Sequence, residues 1–180
     1  MSKSKEQQFW DAARAEDLSV VKKLAADTTL NINWQSPLGY TPFNYACFEG
    51  RVSVVQFLLT QPTVDVNKPV NNGSTPFYIA CEKGHKEVIS LLLADIRIDV
   101  NKPENDQCTP LWMASQFGHL PVVQLILASG REVDTQTKSI AGTASWNNKT
   151  AAEYARIQGT RAKMTGESED VHLRKKQNAP

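Results

Sequence analysis

Two of the three histidines occupy equivalent places, each directly after a glycine, in Gly84-His85 and Gly118-His119. Histidine nitrogens are common zinc ligands, and each must lie about 2 Å from the metal. Because His85 and His119 stand in successive copies of one repeated pattern, packed helices would hold them about 8–10 Å apart. His172 lies far away, in the C-terminal tail. The spacing therefore excludes a shared metal ion and favours imidazoles that bond to backbone at a helix turn.

The three cysteines could supply a disulfide or a reactive thiol. Cys47 and Cys81 are also equivalent and one repeat apart, whereas a disulfide needs Cα atoms within about 7 Å. They are predicted to be small buried thiols. Cys108 falls at the tip of a predicted hairpin, where we expect it to be exposed. A reactive thiol needs a nearby base or cation, and the sequence places none beside it.

Motifs for other catalytic chemistry are missing from the sequence. There is no glycine-rich phosphate loop, no nucleophile motif and no pairing of carboxylates beyond chance. We therefore expect a protein that is not an enzyme and that binds no cofactor and no metal.

Composition and charge are those of an ordinary globular protein, with 41% hydrophobic and 22% charged residues. The net charge of +1 creates no overall field for nucleic acid, and the basic run Arg174-Lys175-Lys176 is too short to change this. Apolar runs such as Leu91–Ala94 are far shorter than a membrane span, and no signal sequence is visible. We expect an intracellular, cytoplasmic protein, monomeric on its own, that binds neither nucleic acid nor membrane.

Three ten-residue blocks that begin with Thr-Pro recur at a constant interval. They start at Thr41, Thr75 and Thr109, so both steps are 34 residues. A further copy lies 34 residues before the first, around Ala12, and the pattern returns near 150–156 after a longer connection. Self-similarity at a fixed period indicates stacked repeats, and five units are predicted.

Each unit is predicted to form two short helices. The threonine suits a helix N-cap, and the proline after it suits the first helical position. The glycine that closes each block, such as Gly84, suits the left-handed conformation at a helix end. The second helix has a broad apolar face, for example Val52, Val55 and Leu58. Helices this short are unstable alone and need neighbours, so the fold class is all-α.

The links between helix pairs are predicted to be hairpin-like. Residues 64–67 and 98–101 alternate apolar and polar side chains, and Asn72-Gly73 is a strong signal for a tight turn. The tips of the projections are expected near residues 35–40, 69–74 and 103–108.

These residues resemble the ankyrin repeat, whose pattern is Gly-x-Thr-Pro-Leu-His-x-Ala followed by a helix turn at Gly-His. The segment from Gly73 to Ala80 with Gly84-His85 matches it almost letter for letter. The resemblance covers roughly residues 7–160 and implies a solenoid of helix-turn-helix units linked by hairpin-like loops. We expect an ankyrin repeat domain over residues 1–164, with units at about 7–33, 34–67, 68–101, 102–134 and 135–164, and a polar tail over 165–180.

The sequence departs from the family pattern in two places that affect the loops. Gln107 replaces the turn glycine of the fourth unit, so we expect the tip of that hairpin to be altered. Residues 134–149 are too long and polar for an ordinary link and form either an ordered insertion or a flexible loop.

The resemblance also implies that a partner protein binds in the concave groove made by the hairpin tips and the first helices. The family's groove positions, carried onto this sequence, are Trp34, Leu38, Tyr40, Asn44, Phe48, Asn71, Asn72, Ser74, Tyr78, Glu82, Lys83, Asn105, Asp106, Trp112, Gln116 and Phe117.

Aromatic residues are frequent among these positions, and two interpretations of them stay open. An exposed aromatic strip would supply binding anchors, whereas residues such as Trp34 and Phe48 could instead pack between repeats. The expected function is a protein–protein interaction scaffold. The alternative is the targeting or substrate-receptor subunit of a larger enzyme complex.

Overall fold

The computed structural model describes residues 3–136, which form eight α-helices and contain no β-strand. The helices are α1 (Lys5–Ala15), α2 (Leu18–Ala25), α3 (Pro42–Glu49), α4 (Val52–Leu59), α5 (Pro76–Lys83), α6 (Lys86–Ala94), α7 (Pro110–Gln116) and α8 (Leu120–Ala128). The predicted all-α fold of helix pairs is confirmed. The fifth predicted unit, nearly all of the 134–149 stretch and the polar tail lie outside the described residues.

Side-chain caps begin the first helix of each of the four units within residues 3–136. The hydroxyls of Thr41, Thr75 and Thr109 accept hydrogen bonds from the backbone N–H three residues later, at 3.0–3.2 Å. The first unit lacks Thr-Pro, but the Ser4 hydroxyl accepts from the N–H of Gln7 at 3.2 Å. Each cap satisfies a donor that the helix itself leaves free. The predicted capping role of the threonines is confirmed.

The helix pairs stack so that the first helices form one row, α1, α3, α5 and α7, and the second helices form another. The core lies between the rows. One repeat position contributes a fully buried large side chain in every described unit, namely Phe9, Phe43, Phe77 and Leu111. The second helices add buried valine and isoleucine from the facing side. Neither row could bury its apolar face without the next unit, as expected of a solenoid.

The two histidines join successive units. Nε2 of His85 lies 2.9 Å from the carbonyl oxygen of Phe48, and Nε2 of His119 lies 2.8 Å from that of Glu82. Each imidazole therefore bonds to the end of the first helix in the preceding unit. This confirms the predicted backbone-bonding role and identifies the acceptor, which the sequence could not name.

Hairpin-like turns connect the units at the predicted places. The backbone N–H groups of Ser36, Val70 and Glu104 donate to the carbonyls of Tyr40, Ser74 and Cys108 respectively, at 3.0–3.2 Å. Gln107 adopts a left-handed φ of 62° and its N–H donates to the carbonyl of Glu104 at 3.0 Å. The expectation of an altered tip is wrong, because Gln107 accepts the backbone conformation that glycine takes in the other hairpins, at a cost of about 1 kcal/mol.

Arginine side chains close the second helices. Nη2 of Arg97 donates to the carbonyl of Leu59, the last residue of α4, at 2.7 Å. One unit later, Arg131 donates to the carbonyls of Leu93, Asp95 and Ile98. Because the last carbonyls of a helix have no partner within it, these guanidinium groups complete hydrogen bonding that the short helices leave open.

Candidate partner-binding groove

The predicted groove positions divide into three groups by their exposure. Exposed are Leu38, Asn71, Asn72, Lys83, Asn105, Asp106 and Phe117. Partly buried are Trp34, Tyr40, Phe48, Glu82 and Gln116. Buried are Asn44, Ser74, Tyr78 and Trp112. The first two groups offer most of the exposed surface at these positions.

Tyr78 and Trp112 are not surface anchors, which corrects the expectation of a continuous aromatic strip. They are only 3% and 2% exposed. Both belong to the hydrophobic core cluster; α5 packs between α3 and α7, and α7 packs against α5 and α8. For these two residues the packing interpretation holds, because their rings are taken up by neighbouring elements.

Asn44 and Ser74 are also interior residues. The Asn44 side-chain oxygen accepts from the N–H and the hydroxyl of Thr41 at 2.8 and 2.6 Å, and its Nδ2 donates to the carbonyl of Lys68 at 2.9 Å. Asn44 therefore ties its helix cap to the next hairpin. Asn44 is fully buried and its side chain bonds within the chain, contrary to the expectation from the family's groove positions.

An aromatic cluster lies at the N-terminal end of the groove. The ring centroids of Trp10 and Tyr45 are 4.6 Å apart, and Tyr45 lies 5.6 Å from Phe48 and 5.9 Å from Tyr40. The residues come from α1, α3 and the preceding hairpin. Sequence reasoning missed Trp10 and Tyr45. Trp10 was detectable, because it stands 34 residues before Asn44, at the repeat position that Tyr78 and Trp112 also occupy.

Two cations border this cluster. The Arg14 guanidinium carbon lies 5.9 Å from the Trp10 ring and 5.8 Å from the Tyr45 ring, and Lys83 Nζ lies 4.7 Å from the Phe48 ring. Both are within range of cation–π attraction. The aromatic cluster is thus packed across units and its rings remain partly exposed. The cations that lie next to these rings, Arg14 and Lys83, belong to the chain itself.

A cleft of about 340 Å³ opens at the other end, between the third and fourth units. Its walls combine apolar side chains with three carboxylates. The lining residues are Asn72, Tyr78, Glu82, Glu104, Asp106, Cys108, Trp112, Met113, Gln116 and Phe117. Neither a lysine nor an arginine belongs to this lining. The two ends of the groove therefore differ in charge.

The carboxylates of the cleft are unequally compensated. Lys83 Nζ lies 2.8 Å from Glu82 Oε1, whereas Glu104 and Asp106 form no ion pair with any residue between 3 and 136. Burial raises the pKa of the Tyr78 phenol, and the carboxylates of Glu104, Glu82 and Asp106 raise it further. With three carboxylates in the lining and one lysine pairing with Glu82, the cleft carries net negative charge.

All three cysteines are buried and free of disulfides. Burial raises the pKa of both Cys47 and Cys81, which are fully enclosed. Cys108 is also buried, so the expectation of an exposed thiol is wrong; its side chain belongs to the hydrophobic core cluster and lines the cleft. Across residues 3–136 no three His, Cys, Asp or Glu side chains meet as metal ligands would, and none of the helices there has the length and apolarity to cross a bilayer.

Comparison with known families agrees with this architecture. A family model for ankyrin repeats, in three copies, matches residues 9–104 and 63–138. The chain therefore belongs to the ankyrin repeat family, whose members generally act as protein–protein interaction modules. No curated protein sequence matches the chain.

Proposed function

We propose that this protein captures a partner protein in the groove formed by its hairpin tips and first helices. The observation that carries the proposal is the exposure of two large apolar side chains at opposite ends of that surface. Leu38, on the second unit's hairpin, is 71% exposed, and Phe117, at the end of α7, is 54% exposed. A large apolar side chain exposed to water lowers solubility, and it becomes a binding anchor when a partner covers it.

Polar groups surround the two anchors in a way that suits a protein ligand. Exposed asparagines, Asn71, Asn72 and Asn105, stand at the hairpin tips between them. Their amides can donate to and accept from a peptide backbone. Protein interfaces combine apolar contacts with direct hydrogen bonds, and this surface offers groups for both.

The test uses a variant that removes both anchors without adding charge, Leu38→Ser with Phe117→Ser. Ile96→Ser is the matched control, because Ile96 is 91% exposed but lies in the loop after α6, outside the groove. Affinity capture with tagged wild-type protein and quantitative mass spectrometry identifies candidate partners. The purified partner is then titrated against all three proteins.

We expect the double variant to bind its partner about 100-fold more weakly, which corresponds to about 3 kcal/mol for two buried anchors. Ile96→Ser should bind like the wild type. Circular dichroism and urea unfolding should match in all three proteins, because exposed side chains contribute little to folding. If the double variant keeps wild-type affinity for every partner, the binding surface lies elsewhere.

A further inference from the structure

We propose that the cleft between the third and fourth units binds a lysine or arginine side chain of the partner protein. This inference rests on the proposed function, because it names the chemistry of the segment that the groove receives. It is carried by the charge of the cleft, by one buried carboxylate and by one buried acceptor without a donor.

The buried carboxylate is that of Glu104. It is only 8% exposed, and its Oε1 accepts a hydrogen bond from the N–H of Cys108 at 3.1 Å. No cation among the described residues pairs with it, and the other charged side chains that line the cleft, Asp106 and Glu82, are also carboxylates. A buried charge without a counter-ion is unfavourable, and the hairpin fixes this one in place. A cationic group from outside would compensate it.

The acceptor without a donor is the side-chain oxygen of Gln116. It is buried and forms no hydrogen bond, and Gln116 lines the cleft from α7. Unsatisfied buried acceptors are uncommon in folded proteins. The head groups of lysine and arginine carry several N–H donors and no acceptor, so either would satisfy this oxygen as well as the carboxylates.

The apolar walls fit the remainder of such a side chain. Met113 and Phe117 line the cleft together with Trp112 and Tyr78. Lysine and arginine carry aliphatic stems that pack on apolar surface while the charged end reaches polar groups. An acidic or phosphorylated segment would be repelled by the three carboxylates, and a purely apolar one would leave Glu104 uncompensated.

Peptide display tests this inference. A random 12-residue peptide library is selected on the full-length wild-type chain at low salt, and selected peptides are titrated as purified molecules. We expect each groove-dependent peptide to contain a lysine or arginine whose replacement by norleucine weakens binding about 10- to 100-fold, as expected when charge-assisted hydrogen bonds are lost.

The matching protein variant is Glu104→Gln with Asp106→Asn, which keeps side-chain shape and the acceptor oxygen for Cys108. Its control is Asp65→Asn with Glu87→Gln, two exposed carboxylates outside the cleft that change the net charge equally. Only the cleft variant should lose the same 10- to 100-fold, and it should show no further loss with the norleucine peptide. Unfolding midpoints confirm that both variants fold.

The possible results separate the two proposals. Peptides that depend on Leu38 and Phe117 but need no basic residue would overturn the inference and leave the proposed function standing. Peptides indifferent to Leu38 and Phe117 would overturn the proposed function. Peptides that bind more than tenfold tighter after Arg174, Lys175 and Lys176 are changed to alanine would show that the chain's own tail fills the cleft, and that the occupant is not a partner.

Discussion

Replacing Gly84 by alanine should destabilise the protein for two separable reasons. Its φ is 74°, in the left-handed region, where an added Cβ costs about 1 kcal/mol. The Cβ would also lie 2.6 Å from Nδ1 and 2.7 Å from Cε1 of His119. The ring would have to leave its bond to the Glu82 carbonyl, which is 2.8 Å long and worth about 1 kcal/mol. The expected loss is therefore about 2 kcal/mol in total.

Gly130 provides the control for the backbone contribution. Its φ is 73°, nearly the same as that of Gly84, but an added Cβ would have no neighbour within 4 Å. Gly130→Ala should therefore cost only about 1 kcal/mol. Both variants are measured by urea unfolding followed by circular dichroism. With a slope of about 2 kcal/mol per M, Gly84→Ala should lower the midpoint by about 1 M.

A double-mutant cycle isolates the imidazole contact. His119→Ala removes the ring, so Gly84→Ala in that background should cost only the backbone contribution of about 1 kcal/mol. Equal losses for Gly84→Ala and Gly130→Ala would refute the argument. So would a loss for Gly84→Ala that does not change when His119 is absent.

Three further predictions concern the interior. Burial raises the pKa of Cys47 and Cys81 in the folded state, so thiols ionise at lower pH in the unfolded chain than in the folded protein. The free energy of unfolding should therefore be independent of these thiols below about pH 8. Above about pH 8.5 it should fall by about 1.4 kcal/mol per pH unit for each thiol. Urea titrations from pH 7.5 to 9.5 measure this, and a slope that persists in Cys47→Ala/Cys81→Ala would contradict it. Asn44→Ala should cost about 2–3 kcal/mol in urea unfolding, because a cap and a buried bond are lost, with unchanged affinity for a bound peptide; weakened binding by the folded variant would return Asn44 to the interface. Arg131→Met should cost about 1–2 kcal/mol, and Arg131→Lys should not restore it, because an ammonium cannot serve three carbonyls in the geometry of a guanidinium; full rescue by lysine would argue for a merely electrostatic effect.

The sequence was sufficient for the repeat architecture because the determinants of each helix pair are local. Thr75 and Pro76 begin a helix and Gly84 ends it through interactions within a few residues. A 34-residue interval then aligns identical signals, so the row of first helices follows from the spacing alone. The same regularity placed His85 and His119 at helix turns, where the structure finds them.

Exposure within the groove could not be predicted in the same way. Tyr78 and Trp112 occupy a family position that faces the groove, but their burial depends on the side chains that adjacent units and hairpins contribute. The burial of Cys108 has the same origin, because a residue near a hairpin tip can still place its side chain in the core cluster. The cleft lies between Tyr78 and Glu82 of the third unit and Glu104 and Gln116 of the fourth, so no single repeat contains all of its walls.

The bonds that finish the second and third helix pairs come from residues made later. His85 reaches a carbonyl 37 residues back along the chain, and Arg97 reaches one 38 residues back. A chain leaves the ribosome N-terminus first, at about 5–20 residues per second, so each newly emerged pair waits roughly 2–7 s for the groups that close its helix ends. Folding during synthesis therefore lags by one unit, and the unit nearest the ribosome is always the one with open helix ends.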